Sequence, residues 1–391
     1  MTVHIDVERH PAAGGGARAT AAQLEPLLAE AARLEASHLH VEPSARGFEI
    51  AFRVSGLLHP FGDVARAEGE ALIRQIAAAA RLSSEGVLPQ RGEMRWEGEL
   101  LDIFVLPVVH GQRVVVQRAP RQAGHRELEA LGMSAALANH ARTVLARPGL
   151  VLVAAPAGQG GSTTLQTLLG LAASRTRPAL AIAIGTMPDL RGVTWADGAI
   201  VAPAETLRAA IEQDVDVLMI DSLADRAAAA AAVQAAQAGR LVLAGIDAVD
   251  SVAAIQQLRA WRVEAFHLAS ALSLVIAQRL VRRLCPECRE PVQATGSVSA
   301  LLGFDPGAIV YASAGCVVCG GTGFAGQTGV FESIRGDATI RRLINDGGDA
   351  AILARHAFIS TPNLGSAARH LARTGVTTPE EAVKISRGQG A

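Results

Sequence analysis

The sequence predicts an α/β chain: a parallel sheet with helices on both faces, preceded by a small α+β domain and carrying a four-cysteine module. Three observations predict it. Short apolar runs alternate with helical segments through the second part of the chain. A glycine-rich turn joins one of those runs to a helix, and all four cysteines fall in two Cys-x-x-Cys pairs. Strand–helix alternation is the pattern of β-α-β units, whose crossovers cover both faces of a sheet. With 391 residues, the chain is long enough for two or three domains, each burying its own core.

Residues 1–18, with Pro11 and the run Gly14–Gly16, are expected to be disordered. From Ala21 to Ala36 the apolar positions Leu24, Leu27, Leu28, Ala31 and Leu34 recur at helical spacing, with Pro26 tolerated in the first turn. Strands are expected at 38–41, 48–54, 57–60, 101–106 and 113–117. The alternation Phe48, Ile50, Phe52, Val54 turns one face inward. Ala65–Leu82 reads as an amphipathic helix, and the small α+β domain spans 19–125. A helix over Arg126–Arg147 opens the second domain, 126–391. Apolar runs follow at 150–154, 179–184, 215–221 and 241–246, with helices at 163–173, 203–213, 226–237 and 251–261 between them. Ala269–Leu284 reads as a further helix, running into the cysteine module at 280–332.

Composition excludes several functions. The formal net charge is −1 and no basic tract stands out, so neither nucleic acid nor anionic lipid has a broad electrostatic footprint. Lys384 is the sole lysine. Leu150–Ala157 is too short to span a bilayer, and Ala227–Ala238 is weakly apolar, so no membrane span is expected. The N-terminus has no apolar signal region, and a cytoplasmic location is expected.

Two motifs carry chemistry. Cys285-Pro-Glu-Cys288 and Cys316-Val-Val-Cys319 each place two thiols on a tight turn, and four thiolates close a tetrahedral zinc shell with no open position. The expected site is therefore structural zinc, against free buried thiols or a redox pair. The second motif is Ala155-Pro-Ala-Gly-Gln-Gly-Gly-Ser-Thr-Thr164, between an apolar run and a helix. A phosphate loop sits at such a junction, where backbone N–H groups and a helix N-terminus hold a polyphosphate. Gly158 and Gly160 fit the nest and Ser162 offers a hydroxyl to Mg2+, with Gly161 and Thr163 beside them. The lysine that should bridge the phosphates is Gly161. Taken alone, a lysine-free glycine loop is more often a plain strand–helix turn.

The flanking residues decide between those readings. Gly149 to Leu165 resembles G-I-I-L-V-T-G-P-T-G-S-G-K-S-T-T-L, the phosphate-loop segment of the type II secretion and type IV pilus assembly motor ATPases. Ala277-Gln-Arg-Leu-Val-Arg-Arg-Leu-Cys-Pro-Glu-Cys288 resembles the entry to that family's tetracysteine module, and Cys316–Glu332 its second half. His38-Leu-His-Val-Glu-Pro43 and Phe52-Arg-Val-Ser-Gly56 resemble S-D-I-H-I-E-P and F-R-V-D-G. The resemblance implies a RecA-like P-loop NTPase domain, a hexamer that is homo- or hetero-oligomeric, and an inner-membrane platform protein as partner. The tetracysteine module points to assembly motors over retraction motors.

The departures shape the expected function. The Asp box E-D-P-V-E falls at Gly185–Asp189 and has lost its first two acidic residues. The Walker B segment D-P-D-V-I-M-V-G-E-I-R-D falls at Asp214–Asp225, with Ser222 at the glutamate; Asp221 is adjacent, but neighbouring residues on a strand point to opposite faces. The His box T-L-H-T-N-D falls at Gly245–Asp250, with Asp247 at the histidine. A single preorganised donor is worth roughly 3–4 kcal/mol in transition-state stabilisation, so motor-grade hydrolysis is not expected. No catalytic residues are assigned, and ATP and Mg2+ are in doubt. The leading expectation is a pseudo-ATPase subunit, structural or regulatory, in a secretion or pilus machine. The alternatives are a slow true ATPase and a nucleotide-sensing module.

Overall fold

The computed structural model describes residues 23–118, 126–185, 187–305 and 307–386. The expected disorder at 1–18, the end of the first domain near residue 125 and Asp-box position Thr186 lie outside those residues. The chain divides into two compact units, Met1–Arg121 and Gln122–Ala391.

In the first unit, helix α1 (Leu24–Arg33) leads into β1 (His38–Pro43), β2 (Phe48–Val54) and β3 (Leu57–Val64). Helix α2 (Arg66–Ala79) follows, then β4 (Gln90–Trp96), β5 (Glu99–Val108) and β6 (Gly111–Arg118). The six strands form an antiparallel sheet in the order β3-β2-β1-β6-β5-β4. Leu27, Leu28, Leu72 and Ile76 of the helices pack with Phe48, Ile50, Phe52, Ile103 and Val116 in one core. That burial follows the alternation legible in 48–54. Arg118 is held by Glu99 at 2.8 Å and donates to the carbonyl of Ala31 at 3.0 Å, tying the last strand to the end of α1.

The opposite side chains of β1 include two histidines. Burial pushes His38 down to about 4, helped by the positive charges of His40 and Arg53; its Nδ1 lies 2.9 Å from the Ser37 hydroxyl. Burial also lowers His40, whose Nδ1 is 3.6 Å from Glu42, too far for a hydrogen bond. A neutral buried imidazole must gain a proton in acid. Its folded-state pKa lies below the unfolded value, so its contribution is complete above about pH 6.5 and lost as pH falls toward 4. Urea midpoints should therefore fall across that window, and His38→Gln should flatten the fall. An equal pH slope in the variant would refute the assignment.

The second unit begins with a 3₁₀ turn (Glu129–Leu131) and α3 (Ala135–Leu145), capped by the Ser134 hydroxyl. The expected helix over 126–147 is therefore shorter. Gly132 interrupts it at φ +103°, and a Cβ there would lie 2.5 Å from the carbonyl oxygen of Gly329. Then come β7 (Gly149–Ala154), α4 (Gly161–Ala172), β8 (Ala179–Ala183) and β9 (Val193–Asp197). These are followed by α5 (Pro203–Ile211), β10 (Val217–Ile220), α6 (Arg226–Gln237) and β11 (Leu241–Ile246). Next are α7 (Ser251–Ala260), α8 (Ala265–Ala271) and β12 (Leu272–Leu284).

The expected helix over 269–284 is wrong for most of its length: Leu272–Leu284 is a 13-residue strand. It lies inside the sheet, parallel to β7 on one side and antiparallel to β15 (Phe324–Arg335) on the other. Leu274–Arg279 is buried throughout, and a strand covered on both faces has no alternation to distinguish it from a buried helix. The sheet order is β15-β12-β7-β11-β10-β8-β9, with β15 the antiparallel edge. Separate apolar cores fill its two faces. This is the RecA-like α/β arrangement expected. Beyond the end of β12, β13 (Arg289–Gln293) pairs with β14 (Ile309–Ser313), α9 (Gly296–Leu302) lying between them. Helices α10 (Ala338–Asn345), α11 (Ala350–Ala357), α12 (Leu364–Arg373) and α13 (Pro379–Ser386) end the described chain.

Candidate functional site

Three neighbouring parallel strands, β7, β11 and β10, end at the same edge of the sheet. Ligands of open α/β sheets bind outside such carboxyl ends. The glycine loop follows β7, Asp247 follows β11, and Asp221 and Ser222 follow β10. The fold thus gathers the positions that the sequence singled out.

Gly158 and Gly160 take φ +76° and +82°, where a side chain would be strained, and α4 starts at Gly161. Successive N–H groups in such a turn and the helix N-terminus form an anion nest. Ser162 is exposed, and Gly161 and Thr163 are half-buried beside it. A Cβ on Gly161 would lie 3.2 Å from the Cβ of Ala155. Ala155 stands where the family motif has glycine, so the one added methyl and the missing lysine face each other.

The loop is fastened to β12. Gln278 donates from Nε2 to the carbonyl of Gln159 at 2.8 Å and accepts from the Thr164 hydroxyl; the Gln159 side chain accepts from Leu280 N–H at 2.9 Å. Sequence reasoning missed this clasp, since its partners lie more than a hundred positions apart.

It also set Asp221 aside. The strand Val217–Ile220 is fully buried, and Asp221 extends its ladder by donating N–H to Ile182. Burial raises the Asp221 carboxyl while the Ser162 hydroxyl beside it draws it back, and Oδ1 is buried without a hydrogen-bond partner. Four apolar residues and then aspartate was the available signal. Ser222, next along the chain, is exposed. Asp247 is exposed too, and its charge adds to those of Asp250 and Glu332 around the buried Arg279, whose guanidinium burial pushes down. Within the Asp box, Gly185, Met187, Pro188 and Asp189 lie in the loop between β8 and β9.

The donors present suit a magnesium nucleotide: a nest of N–H groups, a hydroxyl and one orphaned carboxylate oxygen. Bound there, the cation would supply positive charge against the phosphates. Ser162 and Asp221 would face it, and Gly158 to Gly161 would face the phosphates.

Cys285, Cys288, Cys316 and Cys319 come together at the far end of β12, their sulfurs all within 4.8 Å. Cys285–Cys316 is 4.0 Å, Cys288–Cys319 3.8 Å and Cys316–Cys319 3.8 Å. Zn–S bonds of about 2.3 Å in a tetrahedron put sulfurs about 3.8 Å apart, whereas a disulfide needs about 2.05 Å. Burial and neighbouring thiols push Cys288 up to about 12. Burial also opposes ionisation of Cys319, but N–H donors of Cys316 and Gly323 prevail and hold it at about 6. Arg282, three residues before Cys285, stacks over the Phe324 ring at 4.0 Å.

Among the described residues, no helix is long and apolar enough to cross a membrane. The family model for the Type II/IV secretion system protein matches residues 16–384. Type II secretion system protein E of Pseudomonas aeruginosa is 36% identical over 93% of this chain and 75% of its own length. The type IV pilus assembly ATPase PilB of Thermus thermophilus is 30% identical over 92% of this chain and 42% of its own. Among solved structures, the ATPase DotB of Legionella pneumophila superposes with TM-score 0.69 at 15% identity, covering 93% of this chain and 95% of its own. The ADP-bound pilus retraction motor PilT gives 0.65 at 18%, covering 93% and 96%. These two likenesses concern the fold. On the family match and the sequence identities, the chain belongs to the Type II/IV secretion system protein family.

Proposed function

We propose that this chain is an ATPase-like subunit of a type II secretion or type IV pilus assembly machine that does not hydrolyse ATP at a motor's rate. One observation carries the reading: Gly161, Ser222 and Asp247 replace lysine, glutamate and histidine on the loops of one sheet edge. Losing the lysine removes charge stabilisation of the transferring phosphoryl group, and losing the glutamate removes the group that orients water. The methyl of Ala155 crowds the very position where lysine would start. In this reading 19–125 is the small N-terminal domain and 126–391 the ATPase-type domain with a zinc module. The subunit sits in a homo- or hetero-hexamer on the cytoplasmic side, against an inner-membrane platform protein.

Turnover of Mg-ATP by the purified chain is the test. The expected rate equals that of Ser162→Ala, because the lysine and the glutamate with which the hydroxyl would act are both gone. Clear turnover that falls roughly 10²-fold in Ser162→Ala would overturn the reading.

A further inference from the structure

Asp221 stands where the family's Walker B motif has glycine, so a carboxylate here is this chain's own. Its backbone is fixed on two sides. Its N–H is bonded to Ile182 at 2.9 Å, and a Cβ on Gly245 would lie 1.9 Å from its carbonyl oxygen. Gly245 in turn stands where the His-box motif has threonine. The two departures are thus adjacent in space: glycine at 245 leaves the room that the Asp221 carbonyl occupies. The Asp221 side chain meets Ser162 in the first turn of α4, and its Oδ1 is buried with no hydrogen-bond partner. An unmet carboxylate oxygen in such a place is costly unless a proton or a cation answers it.

We propose that Asp221 and Ser162 form a divalent-cation site on which nucleotide binding in this chain depends, the cation replacing the charge of the absent lysine. A lysine-bearing loop meets phosphate charge with its own ammonium. This loop has only N–H dipoles, so a diphosphate brings its charge to a site already next to a carboxylate. With the cation between them, both anions are satisfied; without it they repel. The inference deepens the proposed function by naming what the disarmed site still binds: a nucleoside diphosphate or triphosphate together with Mg2+.

The test is equilibrium binding of ADP to the full chain, in Mg2+ and in excess EDTA, with Mn2+ resonance as a second readout. Binding in Mg2+ should be about ten-fold or more tighter than in EDTA. Asp221→Asn should weaken the Mg2+ case by a similar factor, leave the EDTA case no weaker, and abolish ADP-dependent capture of Mn2+. Ser162→Ala reads the same site from the other side should Asp221→Asn fold poorly, which a ligand-free melt reveals. Equal affinity in Mg2+ and EDTA, undiminished Mg-ADP binding in both variants, or no ADP binding at all would overturn the proposal. Absence of binding leaves the non-hydrolysing reading intact, and robust turnover overturns that reading without touching the cation site.

Discussion

Purified under non-chelating conditions, the chain should carry about one zinc per molecule, and stripping that metal should cost more stability than any single side-chain change outside the core. The four sulfurs already stand at the edge lengths of a tetrahedral shell. Four thiolates repel, and burial with the neighbouring thiols holds the Cys288 thiol up, so without a cation the cluster keeps protons. Metal binding must therefore expel protons, so affinity should weaken as pH falls. Cys285→Ser, at a fully buried position, should lose the metal and lower the melting temperature, with amide exchange rising first over 285–323. Less than about half an equivalent of zinc per chain, or an unchanged melt in Cys285→Ser, would count against the metal.

The second large effect centres on Glu332, a carboxylate only 3% exposed. One oxygen accepts from Ser251 N–H at 2.8 Å and from the Ser251 hydroxyl at 2.6 Å; the other accepts from Leu364 N–H at 2.8 Å. Ser251 opens α7 and Leu364 opens α12, so one side chain answers orphan donors of two helices at once. Burial raises its pKa and the three donors work against that. Glu332→Ala strands two buried N–H groups, and a loss of about 3 kcal/mol is expected. Glu332→Gln should rescue little, because its NH2 must face a donor in either orientation. Urea unfolding measures both, and a loss below about 1 kcal/mol in Glu332→Ala would refute the role.

What the sequence made legible is local. Gly149–Ala154 followed by glycines announces a strand, a turn and a helix because each signal lies within a few positions of the next. The cysteine pairs were readable for the same reason, each pair closing on its own turn. Glu332 was visible only as part of a matching motif, since its partners lie 81 and 32 positions away. Gln278 and its hold on the loop were hidden likewise. Asp221 was set aside on a rule that is right in itself: adjacent strand residues face opposite ways. The rule set Asp221 apart from the glutamate position without saying which of the two faces Ser162. The helix expected at 269–284 failed because interior strands of parallel sheets are apolar throughout and lose the period that would identify them.

That same strand, β12, has a mechanical consequence. Gln278, which clasps the glycine loop, and Cys285, which begins the cysteine centre, are seven residues apart along one extended backbone, a rise of roughly 23 Å. β7 pairs with the strand as far as Ala277, and from Gln278 to Arg282 the antiparallel pairing with β15 alone holds its register, where a slip of a single residue would turn every side chain to the wrong face. The strand therefore behaves as a strut. A load applied at the cysteine end reaches the loop along one hydrogen-bonded strand, and the register shift between Arg282 and Leu284 is the irregular joint on the way.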